Sequence, residues 1–230
     1  INKSLIETLS IKKVKDIFRA SWAEPFSENS LYFRGCTLRF RQTPTLRTQI
    51  MSNLIMLEVF SDYVCPWCYL GDNRVKKLKE NYDINVKLIH FPLHPDTPQE
   101  GRALMDLFSC GPEEIQIKNM RMHGIMEADG LPFKDRSHTY NSRLAQEVGS
   151  YADTQPGGEK IHDKFYEAYF VDRRNIGDAN VILDVVKSVG LDETVAKAVI
   201  DDRSYKDAVD ADWAKSHSYG VTGVPTFVSE

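Results

Sequence analysis

Two cysteines spaced by two residues, in the run Cys65-Pro66-Trp67-Cys68, stand between an apolar stretch and an amphipathic one. That placement constrains the fold more than any other feature. Leu54-Ile55-Met56-Leu57-Glu58-Val59-Phe60 is a short apolar run of the kind that forms a buried strand. From Pro66 to Asn81, Leu70, Val75 and Leu78 share one face while Lys76, Lys77, Lys79 and Glu80 face away, which predicts a helix. Asn85 to Phe91 reads as a second strand. The order is strand, helix, strand: a βαβ unit with the cysteines at its first strand-to-helix turn.

The turn gives the pair its chemistry. A thiolate, not a thiol, attacks a disulfide. A cysteine at a helix N-terminus faces unpaired N–H groups and the positive end of the helix dipole, and both favour the anion. Cys65 holds that position, and Pro66 suits the first helical turn, where its missing N–H is not needed. Cys68 lies one turn on, placed to attack a mixed disulfide at Cys65. A zinc half-site is another reading, but it needs two more ligands. Cys36 and Cys110 have no cysteine or histidine pair near them at ligand spacing, so no metal is expected. An inert reduced pair is the third reading.

The chain has 230 residues, 42% hydrophobic and 27% charged, enough for one buried domain or one domain with a large insertion. A net charge of -4 gives no reason to expect nucleic acid as a partner. No apolar run approaches the roughly 20 residues of a membrane helix, and no export signal opens the chain. Charge is unevenly spread. Residues 1–50 carry 9 Lys+Arg against 4 Asp+Glu, whereas the remainder is acidic overall. Residues 29–50 contain no acidic residue and resemble a transit segment in composition, or else translated upstream sequence before a start at Met51. Residues 1–50 are therefore expected to lie outside the folded unit, and the cytoplasm is the expected compartment. Residues 4–19 show a weak helical period.

After Phe91 the prolines Pro92, Pro95 and Pro98 exclude helix and central strand. Residues 101–219 then read as mostly helical. Pro112-Glu113-Glu114 opens one helix, and others span 140–151, 162–170, 178–189, 192–200 and 204–219. Gly190 is an expected C-terminal cap and Asp192 an expected N-cap. The chain closes on Val221-Thr222-Gly223-Val224-Pro225-Thr226-Phe227-Val228, a turn and then a strand. Three strands would leave an unpaired edge, so a further strand and helix are expected to be missing.

Strand, Cys-x-x-Cys, helix and strand, followed much later by Gly-Val-Pro-Thr before another strand, resembles the thioredoxin fold. The helical stretch between the two halves is similar to the DsbA-like proteins. Within them, Ser61-Asp62-x-x-Cys65-Pro66-Trp67-Cys68-Tyr69-x-Gly71 resembles the FrnE-like branch, as do Leu93-x-Pro95-Asp96-x-Pro98-x-Glu100-Gly101, Asn141-Ser142-Arg143-Leu144-Ala145 and Phe165-x-x-x-Tyr169-Phe170. The resemblance covers residues 54–228. It implies an α/β thioredoxin fold with a large inserted all-helical domain: 51–98 the first half, 99–219 the insertion, and 220–230 the start of a truncated second half. It also implies that Pro225 is cis beside the cysteines, with Val224 offering backbone groups to substrate.

The resemblance implies a thiol–disulfide oxidoreductase or isomerase acting on protein or small thiol and disulfide substrates. Cys65 and Cys68 are the catalytic pair, and Pro66, Trp67, Val224 and Pro225 contact substrate. No tightly bound cofactor is implied, with glutathione as a candidate redox partner. Trp67 packs over the helix or touches substrate; Tyr69 and His94 line the groove or serve structure. The aromatic set Phe165, Tyr166, Tyr169 and Phe170 reads as core. Two alternatives share the fold. One is a glutathione-dependent enzyme like 2-hydroxychromene-2-carboxylate isomerase or kappa-class glutathione transferase, which needs no second cysteine. The other is a binding module that pairs an extended peptide near Pro225.

Overall fold

The computed structural model describes residues 37–40 and 55–229. The weak period at 4–19, Cys36 and, apart from 37–40, the acid-free stretch 29–50 fall outside the described residues. The βαβ unit forms as the pattern predicts. Strand β2 (Ile55–Ser61) pairs parallel with β3 (Ile84–His90), from Ile55↔Ile84 to Ser61↔His90, and α1 (Pro66–Lys79) connects them. The last strand, β6 (Thr226–Ser229), runs antiparallel to β2, with Phe60↔Thr226 and Leu57↔Ser229. Strand β2 is thus paired on both edges, which accounts for its continuous apolar character.

The far edge of β6 is not bare. Strand β1 (Thr37–Phe40) pairs parallel with it, from Thr37↔Thr226 to Phe40↔Ser229, giving the order β1-β6-β2-β3. This corrects the expectation of a three-stranded sheet and of a first fifty residues wholly outside it. An open row of N–H and C=O groups takes whatever extended segment the chain supplies. The described residues belong to one compact unit.

The segment between β3 and β6 begins with α2 (Leu104–Phe108) and α3 (Pro112–Ala128). It continues with α4 (Arg143–Ala152), a 3-10 turn at Gly158–Lys160, α5 (Ile161–Phe170) and α6 (Ala179–Ser188). Helices α7 (Glu193–Asp202) and α8 (Lys206–Ser218) complete it. The expected punctuation is present. Asp178 and Asp192 accept N-cap bonds from Asn180 and from Thr194 and Val195, and Gly190 turns at φ 79°. The insertion is not wholly helical, because β4 (Arg102–Ala103) and β5 (His138–Thr139) make a small antiparallel ribbon. Two-residue strands carry no period, so the sequence pattern hides them. The helix expected from Tyr140 starts at Arg143, after Asn141 Oδ1 accepts from the Arg143 amide at 2.9 Å.

The core is one continuous cluster. It runs from Phe60, Leu70 and Ile89 through the buried Phe165, Tyr166, Tyr169 and Phe170 to Ile182, Val185 and Val199. A buried charge organises the polar side of the insertion. Glu147 on α4 is 0% exposed and binds Arg143 at 2.7 Å and Arg203, at the end of α7, at 2.6 Å. Arg143 also reaches Asp210 on α8 at 2.7 Å and lies over the Trp213 ring at 4.5 Å. Removing Glu147 takes one of two carboxylate partners from the mostly buried Arg143, while Arg203 stays half in water. Glu147→Ala is therefore expected to lose about 1–3 kcal/mol of stability, read as a lower urea midpoint at unchanged slope.

Candidate active site

Strand β2 ends at Ser61, and the next four residues turn the chain into α1. Cys65 is the N-cap of α1, with extended backbone (φ -90°, ψ 113°) and Pro66 at the first helical position. Its carbonyl accepts from Cys68 N at 3.0 Å and from Tyr69 N at 3.2 Å. No side chain caps the helix, so its first amides are left for whatever sits at Cys65. Cys65 and Cys68 are free thiols, 3% and 2% exposed.

The second wall is the segment before β6. The Val224–Pro225 peptide is cis, and the Cys65 thiol donates to the Val224 carbonyl across 3.4 Å. The sequence separation of 159 residues is closed by the antiparallel β2–β6 pairing. Gly71 on α1 lets this wall approach: a Cβ there would stand 3.2 Å from the Phe227 ring and 3.4 Å from Pro225 Cγ. Trp67 is half-buried and packs against the core.

Cys68 differs in environment from Cys65. Burial pushes its thiol up, and the neighbouring Cys65 adds to this, against hydrogen bonds from the Ser61 hydroxyl and the Asp62 backbone. Ser61 Oγ also shares a 2.6 Å hydrogen bond with Tyr166 OH. The next residue, Asp62, is 1% exposed, and its carboxylate accepts from Val64 N at 3.2 Å and Leu93 N at 3.0 Å. Burial raises its pKa, opposed by those amides and by Ser142 and Gln146.

Sequence reasoning missed a third group. Tyr63 OH donates to His162 Nδ1 at 2.6 Å, and His162 Nε2 donates to Asp153 Oδ1 at 2.8 Å. Tyr63 is fully buried and its pKa is raised, chiefly by burial, so the hydroxyl keeps its proton. This chain ties the loop before Cys65 to the insertion, and its members lie too far apart in sequence for spacing to reveal them. His90 packs edge-on to Tyr63. Of the other residues singled out earlier, Tyr69 is buried, with its ring stacked on Phe170 at 5.2 Å and its hydroxyl donating to Pro132 O at 3.2 Å. His94 is half-buried, and Cys110 is a partly exposed free thiol. Among the described residues no cluster of His, Cys, Asp or Glu is arranged to hold a metal ion, and no helix is long and apolar enough to cross a membrane.

Two outcomes follow from this geometry. Val at position 71 adds branches where even a Cβ is tight, so Gly71→Val is expected to lose about 1–3 kcal/mol and to separate α1 from Pro225. Equilibrium unfolding reads the loss. The second concerns His90. Burial pushes its pKa down to about 3 from 6.5, so between those values the unfolded chain binds the extra proton. Its contribution is present above pH 6.5 and is lost as pH falls toward 3. In thermal melts, His90→Gln should show a shallower loss of stability over that window than the parent.

Residues 56–230 match the family model described as a DSBA-like thioredoxin domain. The uncharacterized Bacillus subtilis protein YwbO is 27% identical over 180 residues, which is 76% of this chain and 86% of that protein. The crystal structure of a probable DsbA oxidoreductase from Streptomyces coelicolor superposes with a TM-score of 0.71 at 26% identity, covering 76% of this chain and 80% of that one. The cytosolic disulfide reductase DsbM from Pseudomonas aeruginosa, solved with GSH, has the same fold (TM-score 0.55, 21% identity, 75% and 84% covered). With the helical insertion, the cysteine pair and the cis proline in one arrangement, the chain belongs to the DSBA-like thioredoxin domain family.

Proposed function

We propose that the chain exchanges thiols and disulfides at Cys65 and Cys68, with proteins or small thiols as substrates. The observation that carries this reading is Cys65 itself. It is the uncapped N-cap of α1, 3.4 Å from the Val224 carbonyl and one turn from a second free thiol. The amides at the helix start face charge formed on that sulfur. Burial holds the proton on Cys68, and Cys65 stands at the helix N-terminus, so Cys65 attacks and Cys68 resolves.

The electrons balance over two steps. The Cys65 thiolate bonds to one sulfur of a substrate disulfide, and the other sulfur leaves and takes a proton. Cys68 then loses its proton and attacks Cys65 Sγ. The Cys65–Cys68 disulfide forms, and the substrate's first sulfur leaves as a thiol. Two electrons have passed from the pair to the substrate, and the reverse sequence oxidises a dithiol. Pro66, Trp67, Val224 and Pro225 frame the sulfur and contact the substrate. Extended chain beside Val224 has backbone groups to pair with. Glutathione is the natural small partner for such a couple, and DsbM, which shares the fold, was solved with GSH. DsbM's description as cytosolic supports the same compartment here.

Insulin reduction tests the reading. Cys65→Ser is expected to abolish it, and Cys68→Ser to halt at a mixed disulfide visible by intact mass. Full, glutathione-dependent turnover by Cys68→Ser would instead favour the glutathione-using isomerase or transferase. Peptide binding without turnover in the parent protein, unaffected by changing both cysteines to Ala, would favour the binding module.

A further inference from the structure

Tyr63 stands in the turn that places the Cys65 sulfur. The Cys65 amide donates to the Asp62 carbonyl at 3.1 Å, which closes a β-turn with Tyr63 and Val64 at its centre. From this turn the chain passes directly into α1, with Cys65 as the N-cap. A shift of the turn therefore moves the sulfur against the first helical amides and against the Val224 carbonyl, 3.4 Å away.

The insertion grips this turn through the Tyr63 side chain. The buried ring packs against His90, Phe165 and Tyr166, with centroids 5.7, 4.9 and 5.6 Å away. Its hydroxyl enters a slot left open by Gly149 on α4: a Cβ there would stand 2.3 Å from the oxygen and 3.5 Å from His162 Cε1. At the end of the slot His162 Nδ1 accepts the hydroxyl proton at 2.6 Å. A neutral imidazole accepts at Nδ1 with its own proton on Nε2. Nε2 faces Asp153 Oδ1 at 2.8 Å, so Asp153 selects that tautomer. The chain opens outward, from the sealed Tyr63 to a His162 side chain 12% exposed and an Asp153 side chain 43% exposed.

Phenylalanine at 63 would make the same ring contacts, so filling space does not account for the hydroxyl. Ring packing tolerates small slides, whereas a hydrogen bond fixes distance and angle. Glycine inside a helix costs about 1 kcal/mol against alanine, and α4 carries one where the Tyr63 hydroxyl takes the room. The slot, the imidazole and the carboxylate behind it all bear on one residue of the turn. Asp62 fixes the same turn independently, through Val64 N at 3.2 Å and Leu93 N at 3.0 Å.

We propose that Tyr63 is a positioning residue for Cys65, and that the Asp153–His162–Tyr63 chain is the means by which the helical insertion sets the reactivity of that sulfur. This rests on the redox reading above and adds the residues that tune it. With the hydroxyl anchored, the turn holds the sulfur where the amides of α1 meet its charge. With the anchor lost, the turn loosens, the thiolate is favoured less and its attack slows. The reduced pair loses the same support, so the equilibrium moves toward the Cys65–Cys68 disulfide.

Two readouts on the full chain test this: the rate of iodoacetamide alkylation at Cys65, located by peptide mass, and the fraction of Cys65–Cys68 disulfide in dithiothreitol and glutathione buffers. Tyr63→Phe keeps the ring and removes the hydroxyl. It is expected to slow alkylation about fivefold, on the scale of one hydrogen bond, and to shift the equilibrium toward the disulfide by a similar factor. His162→Leu should do the same, and the double variant should lose no more than either alone. His162→Gln can accept from Tyr63 and donate to Asp153, so it should recover most of the rate. Asp192→Ala, which removes the N-cap of α7 and lowers stability, should leave both readouts at the parent's values. If Tyr63→Phe does not fold, His162→Gln near the parent's rate and Asp153→Ala slowed would carry the proposal. A less stable Tyr63→Phe with alkylation and equilibrium unchanged would overturn it and leave the redox reading standing. A parent protein that forms no disulfide in either buffer would overturn the redox reading, while alkylation at Cys65 would still decide the placement of the turn.

Discussion

The Asp62 carboxylate lies out of water beneath the turn that carries Cys65, and no cation among the described residues pairs with it. Its partners are the Val64 and Leu93 amides, with Ser142 and Gln146 adding side-chain donors. One oxygen fixes the turn before the cysteine, and the other fixes the loop that leaves β3. The remaining donors come from the start of α4. Three separate stretches of chain thus meet on one acidic group. Burial works against the charge and the hydrogen bonds work for it, so the arrangement holds only when all of them are present. The position of Cys65 against Val224 depends on this junction and on the β2–β6 pairing.

The insertion is more than a cover. Gln146 donates to Phe91 O at 3.1 Å and accepts from Trp213 Nε1 at 2.9 Å, so α4 braces both the loop after β3 and α8. Glu147, the next residue, gathers Arg143 and Arg203. On the other side Tyr63, His162 and Asp153 join the pre-cysteine loop to the ends of α4 and α5. Aromatic rings fill the space between, with Tyr69 stacked on Phe170 and Tyr166. The same aromatic layer that carries α1 also carries Arg136.

Much of this was legible in the residues. The apolar run into Cys65, the lysine face of α1, Pro66, and the caps Asp178, Gly190 and Asp192 each act within a few residues. Local sequence therefore carries their meaning. The motif Gly-Val-Pro-Thr was read by resemblance as the opposite wall, and Val224 and Pro225 stand there. The β4–β5 ribbon was not legible, since two residues per strand leave no pattern. Neither was β1, since an edge strand of four residues is recruited by the partner it finds and does not announce itself by its own period.

The sequence by itself determined the βαβ unit, the cysteine at a helix start and the helical character of the insertion, because periodicity and capping are short-range properties. Only the tertiary structure decided which groups surround the sulfur atoms. Asp62 against Leu93, Tyr63 against His162 and Cys65 against Val224 are pairings between 31 and 159 residues apart. Such pairs are selected by burial, where a polar atom must find a partner or remain unsatisfied. No spacing rule within a linear chain encodes that choice.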